Sequence, residues 1–287
     1  MNKLFVLGAG TPTPTKERFG SSIVLSIENE LVMFDCGPAT THKLIKKGIL
    51  PTQVNSLFFS HHHFDHNVDY PCFLLSRWDQ GAGKEEKLKV FGPNLTEKIT
   101  EQLIGPDGVF SYDWKARVNH PLSQKVYENR GGVLPRTPPS ILSKDIKPGS
   151  TQVFDKFEVH SREGKHVQPY LDSLAYRLDY KNSSVVYTGD TSPCEDVIEL
   201  SYKADVMICM CWDDQEIMNE IGENEGQCGT LGAAMMASKA NVKHLVLTHM
   251  GPNINQKSEQ RKSLKEMKKI FPGKITFSNE LDEIFLD

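Results

Sequence analysis

Ser60-His61-His62-His63-Phe64-Asp65-His66 follows directly on the apolar run Leu57-Phe58-Phe59, and the reading of this stretch decides the fold. Core packing has no use for so many imidazoles and a carboxylate in one place. On a strand leaving a sheet, alternate side chains share a face, so His61 and His63 can converge on one ion while His62 points away. Asp65 and His66 fall where the chain must turn, and they can offer an oxygen and a nitrogen to a second ion close by. Imidazole with one hard carboxylate suits zinc first, and manganese or iron fit the same donors. A loop that is histidine-rich by chance is the competing explanation, and further suitable ligands downstream argue against it.

Four more motifs stand in order around this string. Leu31-Val32-Met33-Phe34-Asp35-Cys36-Gly37 reads as a strand ending in an acid and a glycine, and His166 lies upstream of the strand-like Ser173-Leu174-Ala175-Tyr176-Arg177-Leu178. Val185-Val186-Tyr187-Thr188-Gly189-Asp190 ends a strand on an acid, and Leu245-Val246-Leu247-Thr248-His249 ends one on a histidine. Together with H-x-H-x-D-H, the ordered set resembles the metallo-β-lactamase superfamily through most of the chain. The resemblance implies an α/β fold built as a four-layer αββα sandwich, with two sheets face to face, helices outside and metals at one edge. It implies that His61, His63 and His166 hold a first metal, that Asp65, His66 and His249 hold a second, and that Asp190 bridges the two. The cofactor expected is therefore two Zn²⁺ per chain, with Mn²⁺ or Fe as substitutes. A water between paired ions can be held as hydroxide near neutral pH, which supplies a nucleophile without a serine or cysteine. Asp65, besides binding metal, is the expected catalytic residue that steers this water. Asp35 reads either as a partner orienting a ligand histidine through its free ring nitrogen or as an acid in a strand-end turn. His160 competes with His166 for the third position, and His166 has the better spacing to the strand from Ser173 to Leu178.

Composition agrees with a globular enzyme. The chain has 287 residues, 38% of them hydrophobic, enough for one large α/β domain, and one domain over 1–287 is expected. No apolar stretch approaches the roughly 20 residues that span a bilayer, and Met1 to Gly8 runs straight into a strand, so no membrane association and a cytoplasmic location are expected. The cysteines at 36, 72, 194, 209, 211 and 228 have no C-x-x-C spacing and read as reduced thiols. A net charge of −4 gives no global basic field, so nucleic acid stays admissible as a partner but is disfavoured. The basic stretch Arg261 to Lys269 reads as a solvated helix face.

Periodicity predicts strands near 3–7, 21–27, 30–35, 56–60, 88–91, 157–160, 173–180, 183–188, 205–211, 243–248, 274–277 and 283–286. Helices are predicted near 40–47, 67–78, 94–103, 194–203, 229–240 and 256–270. A Pro/Gly-rich insertion from Gly105 to Gly149 breaks the rhythm and is too long for a plain connector. It reads as a lid, a partner surface or a dimer arm. Its Trp114, Arg117, His120, Arg130 and Arg136 could dress a pocket rim, and arginines facing the metals would favour an anionic substrate.

Within the superfamily the likeness is to the ribonuclease Z and phosphodiesterase branch, on Leu7-Gly8-Ala9-Gly10-Thr11-Pro12-Thr13-Pro14, Val90-Phe91-Gly92-Pro93 and Leu247-Thr248-His249. Three departures set this chain apart. The RNA-gripping arm of that family lies between the third histidine and the bridging acid, where this chain has 190 − 166 = 24 positions. Cys228-Gly229-Thr230 stands where the family has a histidine acting as proton donor, and Met210 stands where a glutamate supports it. The expectation is a dinuclear metal-dependent hydrolase that uses a metal-bridging hydroxide to cleave an ester-like bond in a small or medium-sized, anionic substrate, phosphodiester first. Alternatives are ribonuclease Z-like tRNA processing, lactone, sulfate-ester or dehalogenation activity, and a non-enzymatic metal-bearing scaffold or sensor. Asp213 or Asp214 could move a proton to the leaving group, Trp212 and Trp114 could line an apolar pocket, and a homodimer follows by analogy only.

Overall fold

Neighbouring residues on single strands face different layers, and this alternation separates the molecule into four. In the computed structural model, which describes residues 2–286, Phe58 packs with Phe34, Tyr176 and Leu178 in one cluster while its neighbours Leu57 and Phe59 pack with Leu44, Tyr70 and Phe73 in another. Ile208 and Val246 likewise join the first cluster, whereas Met207, Cys209, Leu245 and Leu247 join a third with Ala233, Ala237 and Met267. The first cluster fills the space between two sheets, and the other two lie under helices on the outer faces. This is the αββα sandwich expected from the sequence, and burying both faces of each sheet explains its near-continuous apolar strands.

The strands are β1 (Lys3–Ala9), β2 (Ser21–Ile27), β3 (Glu30–Phe34), β4 (Val54–Phe58), β5 (Leu88–Gly92), β6 (Ile141–Asp145), β7 (Thr151–Val153), β8 (Glu158–Glu163), β9 (Leu174–Tyr180), β10 (Ser183–Tyr187), β11 (Val206–Met210), β12 (His244–Thr248), β13 (Lys274–Phe277) and β14 (Glu283–Phe285). One sheet has the order β14-β1-β2-β3-β4-β5-β6 and the other β13-β12-β11-β10-β9-β8-β7. The helices are α1 (Thr40–Lys46), α2 (Phe64–Asn67), α3 (Tyr70–Gly81), α4 (Thr96–Ile104), α5 (Ser111–Asn119), α6 (Pro121–Asn129), α7 (Glu195–Leu200), α8 (Gln215–Ile221), α9 (Thr230–Lys239) and α10 (Lys257–Ile270). Strands β3 to β6 are parallel, as are β10 to β13. The carboxyl ends of β3, β4, β10 and β12 therefore deliver Asp35, the histidine string, Asp190 and His249. Two bonds lock the sheets together there: Leu174 N–H to Ser60 C=O at 2.8 Å, and Tyr176 Oη–H to Phe59 C=O at 2.7 Å.

The stretch 105–149 differs from its expected character. It holds α5, α6 and β6, none of which periodicity predicts; Pro121 sits at the first turn of α6, where its missing N–H is harmless, behind His120 as N-cap. Its arginines do not dress a metal rim. Arg117, Arg130 and Arg136 all reach Asp79 on α3, at 3.3, 2.6 and 2.9 Å. The Arg136 guanidinium also lies over the rings of Trp78 and Tyr127, at 3.9 and 4.9 Å. Trp114 is buried and donates to Ile104 C=O, which makes it core.

Candidate metal centre

All seven donors expected from the sequence come together at the carboxyl edge of the sandwich. His61, His63 and His166 offer ring nitrogens within 4.8 Å of one another; Asp65, with a carboxylate oxygen, and His66 and His249, with ring nitrogens, form a second such group, and His61, His66 and Asp190 a third between them. His63 Nδ1 lies 3.0 Å from His61 Nε2 and 3.2 Å from His166 Nε2. Asp190 Oδ2 is 4.0 Å from His61 Nε2, 3.9 Å from His166 Nε2 and 3.2 Å from His249 Nε2, so this carboxylate stands between the two groups. Asp65 Oδ2 lies 3.2 Å from His249 Nε2 and 3.5 Å from His66 Nε2. The competing His160 sits on β8 beside Glu158 and Asp179, each at 3.4 Å, and takes no part.

The local backbone explains the convergence. His63 is the N-cap of α2, whose single turn swings Asp65 and His66 back under the strand end. Gly189 has φ +56°, and a Cβ there would lie 2.5 Å from Ser60 Cβ, so only glycine lets β10 bring Asp190 this close. His249 is itself held at φ +52°.

Outer partners fix the ring orientations. His66 Nδ1 meets Asp35 Oδ2 at 2.7 Å, which sends Nε2 toward Asp65 and Asp190. His166 Nδ1–H donates to Gly226 C=O at 2.7 Å, leaving Nε2 to face His63. Asp35 is thus the orienting residue rather than only a turn acid. His62 points away as expected, with Nε2 2.9 Å from Thr96 Oγ1.

The electrostatics split the rings. Burial pushes His61 well below the ordinary histidine range, and the neighbouring His66 adds to this. Burial, then His166, lowers His63. For His66 burial also works downward, but Asp190, Asp35 and Asp65 outweigh it and raise the ring well above its usual value. Asp190 goes well below the carboxylate range because His249 and His66 overcome its burial.

The donor set fits divalent cations. Asp65 Oδ1, His66 Nε2 and Asp190 Oδ1 are buried with no hydrogen-bond partner. Buried polar atoms left unpaired cost about 1–3 kcal/mol each, and three of them among two carboxylates and a group of imidazoles make a cradle that positive charge would satisfy.

Some expected groups do other work. Asp214 is buried, caps α8 through Glu216 N–H and accepts from Ser263 Oγ at 2.7 Å. Asp213 Oδ1 accepts from Asn253 Nδ2 at 2.9 Å. Both Asp214 oxygens are thus engaged in holding the fold, so Asp214 is not free to move a proton. Trp212, by contrast, lies beside His249 with ring centroids 6.1 Å apart and planes inclined at 30°. Sequence reasoning missed Tyr187, whose hydroxyl donates to Asp35 Oδ2 at 2.6 Å; the partners are 152 positions apart, and no local signal marks such a contact.

A family model described as "Beta-lactamase superfamily domain" matches residues 31–250, a span that holds all seven donors. The chain belongs to this superfamily. By that membership the chain is a metal-dependent hydrolase. A ribonuclease Z of Methanosarcina acetivorans is 28% identical over 302 aligned positions, covering 96% of this chain and 95% of the relative. The metallo-β-lactamase fold protein YhfI of Bacillus subtilis superposes with a TM-score of 0.75 at 20% identity, covering 99% of this chain and 98% of the other. A diphosphatase of the PhnP family superposes with a TM-score of 0.69 at 14% identity, over 100% and 98% of the two chains. The two superpositions speak for the superfamily fold.

Proposed function

We propose that this chain is a two-metal hydrolase of small phosphodiesters, zinc being the first metal to fit. His61, His63, His166 and Asp190 would hold one ion, and Asp65, His66, His249 and Asp190 the other. The observation that carries the proposal is the meeting of seven side chains, with three buried, unpartnered donor atoms among them, at one sheet edge. Two divalent cations bound there would supply the charge that polarises an ester bond and makes water acidic. The chain itself does the aiming. Asp35 and Gly226 hold the His66 and His166 rings, so the donors need little reorganisation when an ion arrives. Asp65 and Asp190 stay ionised well below neutral pH. Asp65 Oδ1, buried and unpaired, can accept a hydrogen bond from a water directed at the ester, which makes Asp65 the catalytic residue.

Phosphodiesters are favoured because a pair of cations matches an anionic ester, and because a ribonuclease and a diphosphatase, both named for cleaving phosphate linkages, share the fold. The test is hydrolysis of bis(p-nitrophenyl) phosphate by zinc- or manganese-loaded protein, with Asp190→Ala losing metal and turnover together. Background turnover of a phosphodiester, lactone and sulfate-ester panel by fully metallated protein overturns the proposal.

Ribonuclease Z-like processing is the second reading, supported by the 28% identity to an archaeal ribonuclease Z. Against it, Cys228 is fully buried, its thiol pushed up by a hydrogen bond with Cys209 and by burial, so no acid stands where the relay needs one. Met210 is equally buried, its sulfur receiving Thr191 N–H. Accurate removal of a 3′ trailer from a precursor tRNA at catalytic enzyme concentration would decide for this reading.

A further inference from the structure

Beside the donor cluster stands a tryptophan that packs on the core with only part of its ring. The Trp212 indole is half-buried on the outer apolar cluster of the second sheet, and its Nε1–H leaves that cluster to reach Glu223 Oε2 at 2.7 Å near the surface. The ring is held near-parallel to that of His249, with centroids 6.1 Å apart. Two backbone bonds fix this relation, Cys211 N–H to Thr248 C=O at 2.8 Å and Gly251 N–H to Trp212 C=O at 2.9 Å. A flat π-surface is thus built rigidly onto the metal centre, and its tilt is set by an exposed glutamate.

The surroundings narrow what such a surface can take. The segment that carries Glu223 also carries the exposed Glu225 and then Gly226, whose carbonyl holds His166. This lip is acidic and would repel the extended backbone of a polynucleotide, whereas a single phosphate at the cluster would be neutralised there. Large aromatic side chains also stand open on the segments that bear the donors. Phe64, 53% exposed, lies between His63 and Asp65, and Tyr170, 88% exposed, follows His166 by four residues.

We infer that Trp212 forms a subsite for a planar aromatic group, such as a nucleobase, on a small phosphate ester whose phosphate lies at the donor cluster. Glu223 is the positioning residue that holds the indole. The inference rests on the hydrolase reading for the place of the phosphate, but it can fail separately. An aromatic ring stacked on tryptophan contributes enough to raise affinity about tenfold.

The test is calorimetric titration of the metal-loaded full chain with AMP, phenyl phosphate and ribose 5-phosphate, which needs no turnover. AMP and phenyl phosphate should bind about tenfold more tightly than ribose 5-phosphate. Trp212→Phe should keep most of that ratio, and Trp212→Leu should bring it close to one. Equal affinities in the unaltered protein, or an aromatic preference that survives in Trp212→Leu, overturn the subsite. If the leucine variant fails to fold, Glu223→Ala, which releases the indole, should lower the ratio instead, and an unchanged ratio there overturns the subsite. Absent diester hydrolysis with the aromatic preference intact would instead count against the proposed reaction and leave the subsite standing.

Discussion

Asp35 Oδ2 accepts the Nδ1–H of His66 at 2.7 Å, and the same carboxylate also receives Ser60 N–H at 2.7 Å, Ser60 Oγ–H at 2.7 Å and Tyr187 Oη–H at 2.6 Å. The His66 ring is therefore held in one orientation before any ion arrives, its Nδ1–H committed to Asp35. Asp35→Asn keeps the shape but cannot accept in the same way. It should weaken metal binding about 10- to 100-fold, measured by competition against a chelator of known affinity. Unchanged affinity would show that the ring is oriented by something else.

Gly189 is the backbone counterpart of that bond. Gly189→Ala would place a side chain at φ +56° and against Ser60. The left-handed conformation alone costs about 1–2 kcal/mol, and the contact adds to it. Urea unfolding of metal-free protein should show at least about 2 kcal/mol lost.

Asp79 should act on the 105–149 stretch without reaching the metal centre. Asp79→Ala leaves the buried guanidinium of Arg136 without its carboxylate and releases Arg117 and Arg130. A loss of about 1–3 kcal/mol and faster proteolysis within 105–140 are expected, with metal content unchanged.

Acid should destabilise the metal-free protein through its buried neutral histidines. Burial, helped by Lys274, lowers His244 to about 4, and burial lowers His62 to about 4. Above the unfolded value of about 6.5 both states are neutral, and the full stability is present. As pH falls below 6.5 the unfolded chain takes up protons that the native rings refuse, so stability drops until about pH 4. The slope approaches about 1.4 kcal/mol per pH unit for each ring. Denaturation of metal-stripped protein at pH 7.5, 6 and 5 should show this slope, and His244→Asn should reduce it.

The candidate metal centre was legible because its donors are residues that a core rejects, set at the ends of strands that periodicity alone reveals. His61, His63, Asp65 and His66 announce themselves within one turn of chain, and Asp190 and His249 each end a run of apolar residues. The helices within 105–149 were not predicted because Pro121 and the glycines signal a break, while what holds α5 and α6 lies in distant contacts such as Arg117 with Asp79 and Tyr127 with Arg136. Helix α8 was overlooked although Asp214 before it and Gly222 after it are ordinary start and stop signals. Its capping acid was instead weighed as a proton donor, and what commits it to structure is Ser263, 49 positions away. The αββα layering was readable from resemblance, whereas the register of β6 and β7 at the sheet edges was not, because short half-exposed strands leave little apolar pattern.

The most direct test of the central claim is anomalous diffraction at the zinc edge from crystals of the zinc-loaded protein. The account predicts two peaks per chain, one within about 2.0–2.2 Å of donor atoms of His61, His63, His166 and Asp190 and one equally close to Asp65, His66, His249 and Asp190. A single peak, or none among these seven residues in fully loaded protein, would contradict it.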